Sequence, residues 1–157
     1  MDFKYDVKST DSDVAVLDVA ELLGGTIKDL VGNELVRSVK SISSYGIRID
    51  NTPPTVTMSQ NQNSAYSKTH STLVTISDNG SGLSGQTYKY FWSQNSSISS
   101  VDWNSVINQN PSTQASNVVL SGVTGKYYLH IRSQDLAGNV GYYTSGAVCL
   151  DNQGPVS

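Results

Sequence analysis

Cysteine, long apolar segments and charge are all scarce in this 157-residue sequence. Its single cysteine, Cys149, cannot form an internal disulfide or a CxxC-type zinc site, and its apolar surroundings are typical of a small buried side chain. No segment approaches the roughly 20 apolar residues that cross a bilayer, so no membrane insertion is predicted. Charged residues make up 15% of the chain, the net charge is −3, and no basic cluster exists, which argues against a nucleic-acid partner.

Serine, threonine, asparagine, glutamine, glycine and tyrosine take the place of charge, as in β proteins with hydroxyl- and amide-rich outer faces. Hydrophobic residues make up 37% of the chain, and nine Tyr and two Trp supply volume for a modest core. Alternation predicts strands at 3–8, 55–59, 71–77, 87–93, 117–120, 126–133 and 142–150, with weak strand character between 94 and 111. About seven short strands after residue 50, without a convincing helix, predict an all-β antiparallel sandwich.

Two short signatures occur twice, in the same order. Asp29-Leu30-Val31-Gly32-Asn33 is echoed by Asp135-Leu136-Ala137-Gly138-Asn139, at an offset of 106 residues. Ile49-Asp50-Asn51-Thr52-Pro53-Pro54 is echoed by Leu150-Asp151-Asn152-Gln153-Gly154-Pro155, at an offset of 101 residues. This spacing predicts a tandem repeat of one small β domain. The two prolines of the first connector predict a short, extended and stiff link.

These motifs resemble those of the bacterial immunoglobulin-like repeats of secreted and cell-surface proteins. The resemblance is carried by four segments in order, which are 50–54, 77–83, 125–130 and 135–139. It implies one complete immunoglobulin-like sandwich at 50–152, the later part of a preceding module at 1–49 and the start of the next linker at 153–157. The first residues contain no secretory signal, so an exported parent protein would contain this chain as a piece.

The resemblance also implies that the loops after the second and sixth strands lie at one end of the sandwich. Six oxygen-bearing residues would gather there, namely Asp50, Asn51, Asp78, Asn79, Asp135 and Asn139. The first interpretation is turn chemistry, with Asp accepting backbone N–H groups, Gly supplying positive φ, and a buried Ala or Val at the middle position. The alternative is a Ca²⁺ site between modules, for which three carboxylates are few. Otherwise no cofactor is predicted.

No catalytic constellation is apparent, and we expect no enzyme activity. The glycine-rich segment 78–85 lacks the Lys and the strand-to-helix context of a phosphate loop. His70 and His130 are the only histidines, and alternation predicts that His130 faces outward or packs at a sheet surface. Tyr88, Tyr90 and Trp92 recur at period two and are predicted to lie in the core.

The sequence thus predicts a non-catalytic spacer and interaction module of a bacterial surface or secreted multi-domain protein, hence an extracellular location. Its predicted partners are the neighbouring modules of the same chain. The alternative is an adhesin or carbohydrate-binding module that contacts a glycan or a host or cell-surface protein. Trp103 is the candidate ligand contact for that alternative, although a Trp that pins a long loop is the commoner arrangement. A third alternative is an accessory domain of an extracellular hydrolase.

Overall fold

The computed structural model describes residues 6, 8, 10–14, 29–33, 47–106, 109–110 and 115–155, without the side chains of 84–87, 109, 110 and 115. The chain divides into two compact units, Met1–Asn51 and Thr52–Ser157. Each unit is described separately below. The prediction that residues 1–49 are part of a preceding module falls largely outside the described residues and stays a prediction. Among the described residues, no helix is long and apolar enough to span a bilayer.

The second unit is a sandwich of two antiparallel sheets. Its strands are β1 (Thr55–Met58), β2 (Thr69–Ser77), β3 (Leu83–Ser93), β4 (Gln109–Asn110), β5 (Ala115–Ser121), β6 (Gly125–Asp135), β7 (Val140–Thr144) and β8 (Val148–Leu150). One sheet has the order β1-β2-β5, and the other has the order β4-β3-β6-β7, with β8 pairing the first residues of β6. A 3₁₀ turn, Ile98–Ser100, lies in the long connection after β3. The predicted all-β immunoglobulin-like sandwich is confirmed.

The core lies between the two sheets and is built by period-two alternation. In β2 the buried residues are His70, Thr72, Val74 and Ile76, and the residues between them are more exposed. In β6, Leu129 and Ile131 are fully buried. The predicted aromatic row of β3 also lies inside, because Tyr88 is fully buried and both Tyr90 and Trp92 pack against the same cluster. The Tyr88 hydroxyl bonds to the Ser116 hydroxyl of β5, which links the two sheets.

The last strand of the sequence prediction, 142–150, is two strands in the structure. The ladder between β6 and β7 stops at the pair His130–Thr144, and the next residue leaves it. The N–H of Ser145 donates to the carbonyl of Leu129 over 2.8 Å, and the Ser145 hydroxyl accepts from the N–H of Leu129 over 2.8 Å. A side-chain oxygen thus replaces a ladder carbonyl at the break, so the buried N–H of Leu129 keeps a partner.

The loop between β1 and β2 covers the side of β8 that faces away from β6. Ser67 pairs with Leu150 in a parallel bridge. The Asn63 side chain acts like a strand residue, because its Oδ1 accepts from the N–H of Cys149 over 2.6 Å and its Nδ2 lies 3.3 Å from the Cys149 carbonyl. Cys149 is therefore a buried strand residue, as the sequence predicts.

The described part of the first unit includes one antiparallel bridge. The N–H of Val14 donates to the carbonyl of Ile49 over 2.8 Å, and the N–H of Ile49 donates to the carbonyl of Val14 over 2.9 Å. In the second unit, Gly125 and Leu150 form the corresponding antiparallel pair. Ile49 and Leu150 occupy the same place in the repeated sequence signature.

The alternation makes a direct prediction about stability. Leu129→Ala should lower the free energy of unfolding by about 3 kcal/mol, because it leaves a cavity at a fully buried position. Leu136→Ala, in the turn after β6 with the residue 67% exposed, is the matched control and should change it much less. Urea denaturation monitored by tryptophan fluorescence would measure both. Equal losses would contradict the inward placement of Leu129.

Candidate functional site

The turn after β6 is closed by the two side chains at its ends. The N–H of Asn139 donates to Asp135 Oδ1 over 2.8 Å, and Asn139 Nδ2 donates to Asp135 Oδ2 over 2.7 Å. The N–H of Asp135 in turn donates to the carbonyl of Asn139 over 3.2 Å. Gly138 has a φ of +98°, a conformation that side-chain-bearing residues rarely adopt. The five residues of the Asp-x-x-Gly-Asn signature therefore supply the hydrogen bonds and the backbone conformation that this turn requires.

The first unit contains the same turn at the earlier copy of the signature. Asp29 Oδ1 accepts from the N–H of Asn33 over 2.9 Å, and Asn33 Nδ2 donates to Asp29 Oδ2 over 2.8 Å. The N–H of Asp29 donates to the carbonyl of Asn33 over 3.0 Å, and Gly32 has a φ of +92°. Because these donors favour the ionised carboxylate, and the Asn33 side chain most of all, the pKa of Asp29 lies below its ordinary value.

One expectation about these turns is wrong. The middle residue does not pack under the sheets, since Ala137 is exposed and Val31 is 83% exposed. The turn is held by its own hydrogen bonds, which leave its middle residues free to face solvent.

The second signature also has a structural role, which is to hold the end of the last strand. Asn152 Nδ2 donates to the carbonyl of Val123 over 2.6 Å and to that of Lys68 over 3.0 Å. The backbone N–H of Asn152 donates to the Thr124 hydroxyl over 2.9 Å. Asn152 therefore ties the departing chain to the loop before β6 and to the segment before β2.

Asn51 makes an analogous set of bonds inside the first unit. Its Nδ2 donates to the carbonyl of Asp11 over 2.7 Å and to that of Lys8 over 3.2 Å. Its backbone N–H donates to Asp13 Oδ1 over 2.6 Å. In both copies the Asn amide donates to two main-chain carbonyls, and the Asn N–H donates to a side-chain oxygen of the residue just before the paired position, which is Val14 in the first unit and Gly125 in the second.

The loop after β2 docks on the Asp135 turn within the second unit. Asp78 Oδ2 accepts from the N–H groups of Gly80, over 3.1 Å, and Gly82, over 2.6 Å, which folds the loop back on itself. The carbonyl of Gly82 then accepts from the N–H of Leu136 over 2.8 Å. The Ser81 hydroxyl accepts from the N–H of Ala137 over 3.0 Å.

This contact ends the glycine-rich loop earlier than the sequence predicts. β3 begins at Leu83, which pairs with Asp135, and a register shift separates that pair from the next one at Tyr88. The loop is therefore Asp78–Gly82, and the rest of the predicted loop belongs to an irregular strand. Its glycines serve this local folding.

The six residues of the hypothetical calcium site belong to two different units. In the second unit, a carboxylate oxygen of Asp78 and one of Asp135 lie within 4.8 Å of each other, and Asn79 is exposed. In the first unit, Asp50 and Asn51 are half-buried. The Asp135 carboxylate, 2% exposed, already accepts from Asn139 with both oxygens, and Asp78 accepts two backbone donors. These bonds are what turn chemistry requires, and calcium binding stays a prediction.

His130 lies deeper than the alternation of β6 predicts. It sits on the outer face of its sheet, as predicted, but it is 0% exposed because the connection after β3 covers it. Its Nε2 lies 2.9 Å from the carbonyl of Asn95, and its Nδ1 lies 2.9 Å from the Thr144 hydroxyl. A carbonyl can only accept, so Nε2 carries the proton in that bond. His130 therefore anchors the long loop to the sheet.

Trp103 is held in the same loop as a second anchor. It is half-buried, and its ring lies against Tyr142 of β7 with centroids 6.0 Å apart and an interplanar angle of 48°. Its carbonyl accepts from Lys89 Nζ over 3.1 Å. The ring is thus used to fix the loop, while Tyr142 stays 55% exposed. A ligand contact at Trp103 stays a prediction.

His70 is the second buried histidine. It is 4% exposed, and its ring meets Trp92 edge-on with centroids 5.9 Å apart. Burial lowers the pKa of His70 below its ordinary value, and the hydrogen bond from Nε2 to the Gln60 carbonyl opposes this only in part. The folded protein therefore favours the neutral ring.

Loss of the Asp135 carboxylate should destabilise the protein by about 2 kcal/mol, because Asn139 would lose both of its bonds to it at a buried position. Thermal unfolding of Asp135→Ala would measure this. Asp102→Ala is the matched control, since the Asp102 carboxylate accepts one bond, from the N–H of Asn104, in an exposed turn, and its loss should change stability little. If calcium raises the unfolding temperature of the wild type and chelator reverses this, the carboxylates bind metal as well.

Stability should also fall in mild acid through His70. Because the pKa of His70 is lowered in the folded protein, the unfolded chain binds more protons as the pH falls. The stabilisation is fully present above the unfolded pKa of about 6.5 and is lost as the pH falls below it. The urea midpoint should drop between about pH 7.5 and 5.5, and it should drop less in His70→Gln. Equal slopes in the two proteins would refute this role.

Comparison with models of protein families and with curated proteins gives no match. Among solved structures, the fibronectin(III)-like modules of Clostridium thermocellum CbhA match with a TM-score of 0.42 and 15% identity, over 70% of this chain and 57% of that one. The SrpA adhesin of Streptococcus sanguinis matches with a TM-score of 0.37 and 19% identity, over 66% of this chain and 60% of that one. The chain thus spans less than two thirds of either solved chain. At these values neither likeness identifies a family, and the sandwich is established by its own strand order.

Proposed function

We propose that the chain is a piece of a tandem array of immunoglobulin-like modules, which serves as a non-catalytic spacer in a bacterial surface or secreted protein. The observation that carries the proposal is the same turn and the same terminal Asn anchor in both units. Two sequence signatures and their hydrogen bonds recur together, which is what repetition of one module would produce.

The spacing of these landmarks along the sequence differs between the copies. Asp29 follows the bridged Val14 by 15 positions, and Asp135 follows the corresponding Gly125 by 10. Ile49 follows Asn33 by 16 positions, and Leu150 follows Asn139 by 11. The first copy thus has five more residues on each side of the turn. An equal difference on both sides is what repetition of one module around a fixed central turn would produce.

A spacer must hold the chain firmly where it enters and leaves each module. At the entry to the second unit, Pro54 is buried and its carbonyl lies so close to β7 that a Cβ at Gly141 would stand only 2.5 Å from it. At the exit, Asn152 donates to main-chain carbonyls at two other places in the same unit. With both ends fixed, the segments that join modules are only a few residues long, so each module adds a set length to the array.

The absence of catalysis is part of the proposal, and the two histidines support it. Both are buried and committed to structural contacts, His130 with Asn95 and Thr144, and His70 with Gln60. A general base must reach a substrate proton, and neither ring is placed to do so.

Tandem copies of residues 50–152 should therefore form extended, semi-rigid rods. The longest strands of the second unit, β3 and β6, each have 11 residues, so each added copy should lengthen the particle by about 36 Å. Small-angle X-ray scattering of one, two and four copies would measure the increment. Asn152→Ala in each copy should shorten the mean length, because the exit is released. Asn61→Ala is the matched control, since Asn61 is exposed and its side chain bonds to the Tyr143 hydroxyl rather than to the exit segment. A maximum dimension that does not grow with copy number would refute the spacer role.

A further inference from the structure

The two lateral edges of the second unit are unequal. On one side, Asn63 and Ser67 bond to β8, and Pro54 lies against Gly141 of β7. Of the two end strands of the β1-β2-β5 sheet, β1 has only four residues, whereas β5 pairs along seven residues with β2 and with no other strand in the described part of the chain. Among the described residues, one row of β5 backbone N–H and C=O groups thus has no strand partner.

β5 lacks the features that usually prevent edge pairing. Its sequence, Ala-Ser-Asn-Val-Val-Leu-Ser, contains no charge and no proline, and its seven pairs with β2 run without a bulge. The outer face of the same sheet is also uncharged. Its exposed residues are Thr55, Thr57, Thr69, Ser71, Leu73, Ser77, Asn117, Val119 and Ser121. A charged partner would find no complementary charge on this face.

We propose that two copies of this chain associate through β5, which pairs antiparallel with its counterpart about a two-fold axis at Val118. The two three-stranded sheets then form one continuous six-stranded sheet. Val118 is the middle residue of the seven, so this register gives the longest overlap. It keeps each inward residue opposite an inward residue, and no charges meet.

A second copy suits this edge because the two-fold register also covers exposed apolar side chains. Within one copy, Asn117 is opposite Leu73 and Val119 is opposite Ser71. Across the axis, Asn117 of one copy faces Val119 of the other. Leu73, 41% exposed, and Val119, 56% exposed, then form a diagonal apolar band with their counterparts. A two-fold contact needs only one such self-complementary edge.

Sedimentation analysis over roughly a hundredfold range of concentration should show the full chain passing from monomer to dimer. Val119→Lys should raise the dimer dissociation constant by at least about tenfold, because it puts two like charges at neighbouring positions across the axis. Thr57→Lys is the matched control: it adds the same charge at an exposed position on the same face of the opposite strand, β1, and should leave the constant unchanged. Circular dichroism would establish that both variants are folded.

Cross-linking tests the register. In a Cys149→Ser background, a mixture of the Asn117→Cys and Val119→Cys proteins should form mixed disulfide dimers in preference to either self-linked dimer. A wild type that stays monomeric, a dimer that Val119→Lys leaves intact, or a dimer that both lysine variants abolish would overturn the proposal. Binding of added extended peptides by a monomeric wild type would point to strand addition from another protein instead. None of these outcomes depends on the spacer role, since the edge belongs to the second unit alone.

Discussion

Buried backbone groups must find partners wherever a strand stops, and in this protein Asp, Asn and Ser side chains supply them. Asp135 holds the turn after β6, Ser145 fills the gap between β7 and β8, Asn63 bonds to β8, and Asn152 secures its end. The bonds are short-range where the turn is tight and reach across as many as 86 residues at the edge of the sheet. This constraint explains a composition rich in small amides and hydroxyls and poor in charge. A Lys or Glu carries its polar group too far from the main chain to replace a backbone partner so closely.

The same bonds explain why two short signatures are repeated while the numbers of residues between them differ. The Asp-x-x-Gly-Asn turn depends on its own five residues, so the same turn forms at Asp29–Asn33, where the segments on either side are longer in sequence. The N–H of the terminal Asn bonds to the residue just before the bridged position in both copies, however many residues separate that position from the turn. The number of residues is free to vary only between these fixed points. The parts that repeat are therefore those that fix where the chain turns and where it leaves.

Much of the sandwich could be predicted from sequence because alternation is a local property. The inward placement of Tyr88, Leu129 and Ile131 follows from period-two alternation alone.

The features that sequence reasoning missed depend on contacts with distant segments. His130 alternates like a surface residue, yet the loop that carries Asn95 buries it. The last strand breaks at Ser145 because the Ser145 hydroxyl accepts from the N–H of Leu129 in place of a carbonyl of the β-ladder. The surrounding apolar sequence gives no signal that predicts this break. Among the candidate site residues, the turn roles of Asp135 and Asn139 were predictable. The resemblance also placed the Asp78 loop at the same end as that turn, whereas the hydrogen bonds that join them became visible only in three dimensions.

The edges of the second unit differ because polar side chains take up backbone hydrogen bonds at some of them and not at others. Protecting an edge requires either a charge that repels a neighbouring strand or a side chain that takes up its hydrogen bonds. The β8 side uses the second device, with Asn63 fitted to one residue, Cys149, and Pro54 lying against a glycine that leaves no room for anything else. β5 uses neither, although single substitutions to Lys at its exposed positions would cost the fold little. In the described part of the chain, the seven-residue edge of β5 has no strand partner, whereas the β8 edge is closed specifically, and the proposed two-fold contact accounts for this difference. Modules in an extended array would then associate side by side as well as end to end.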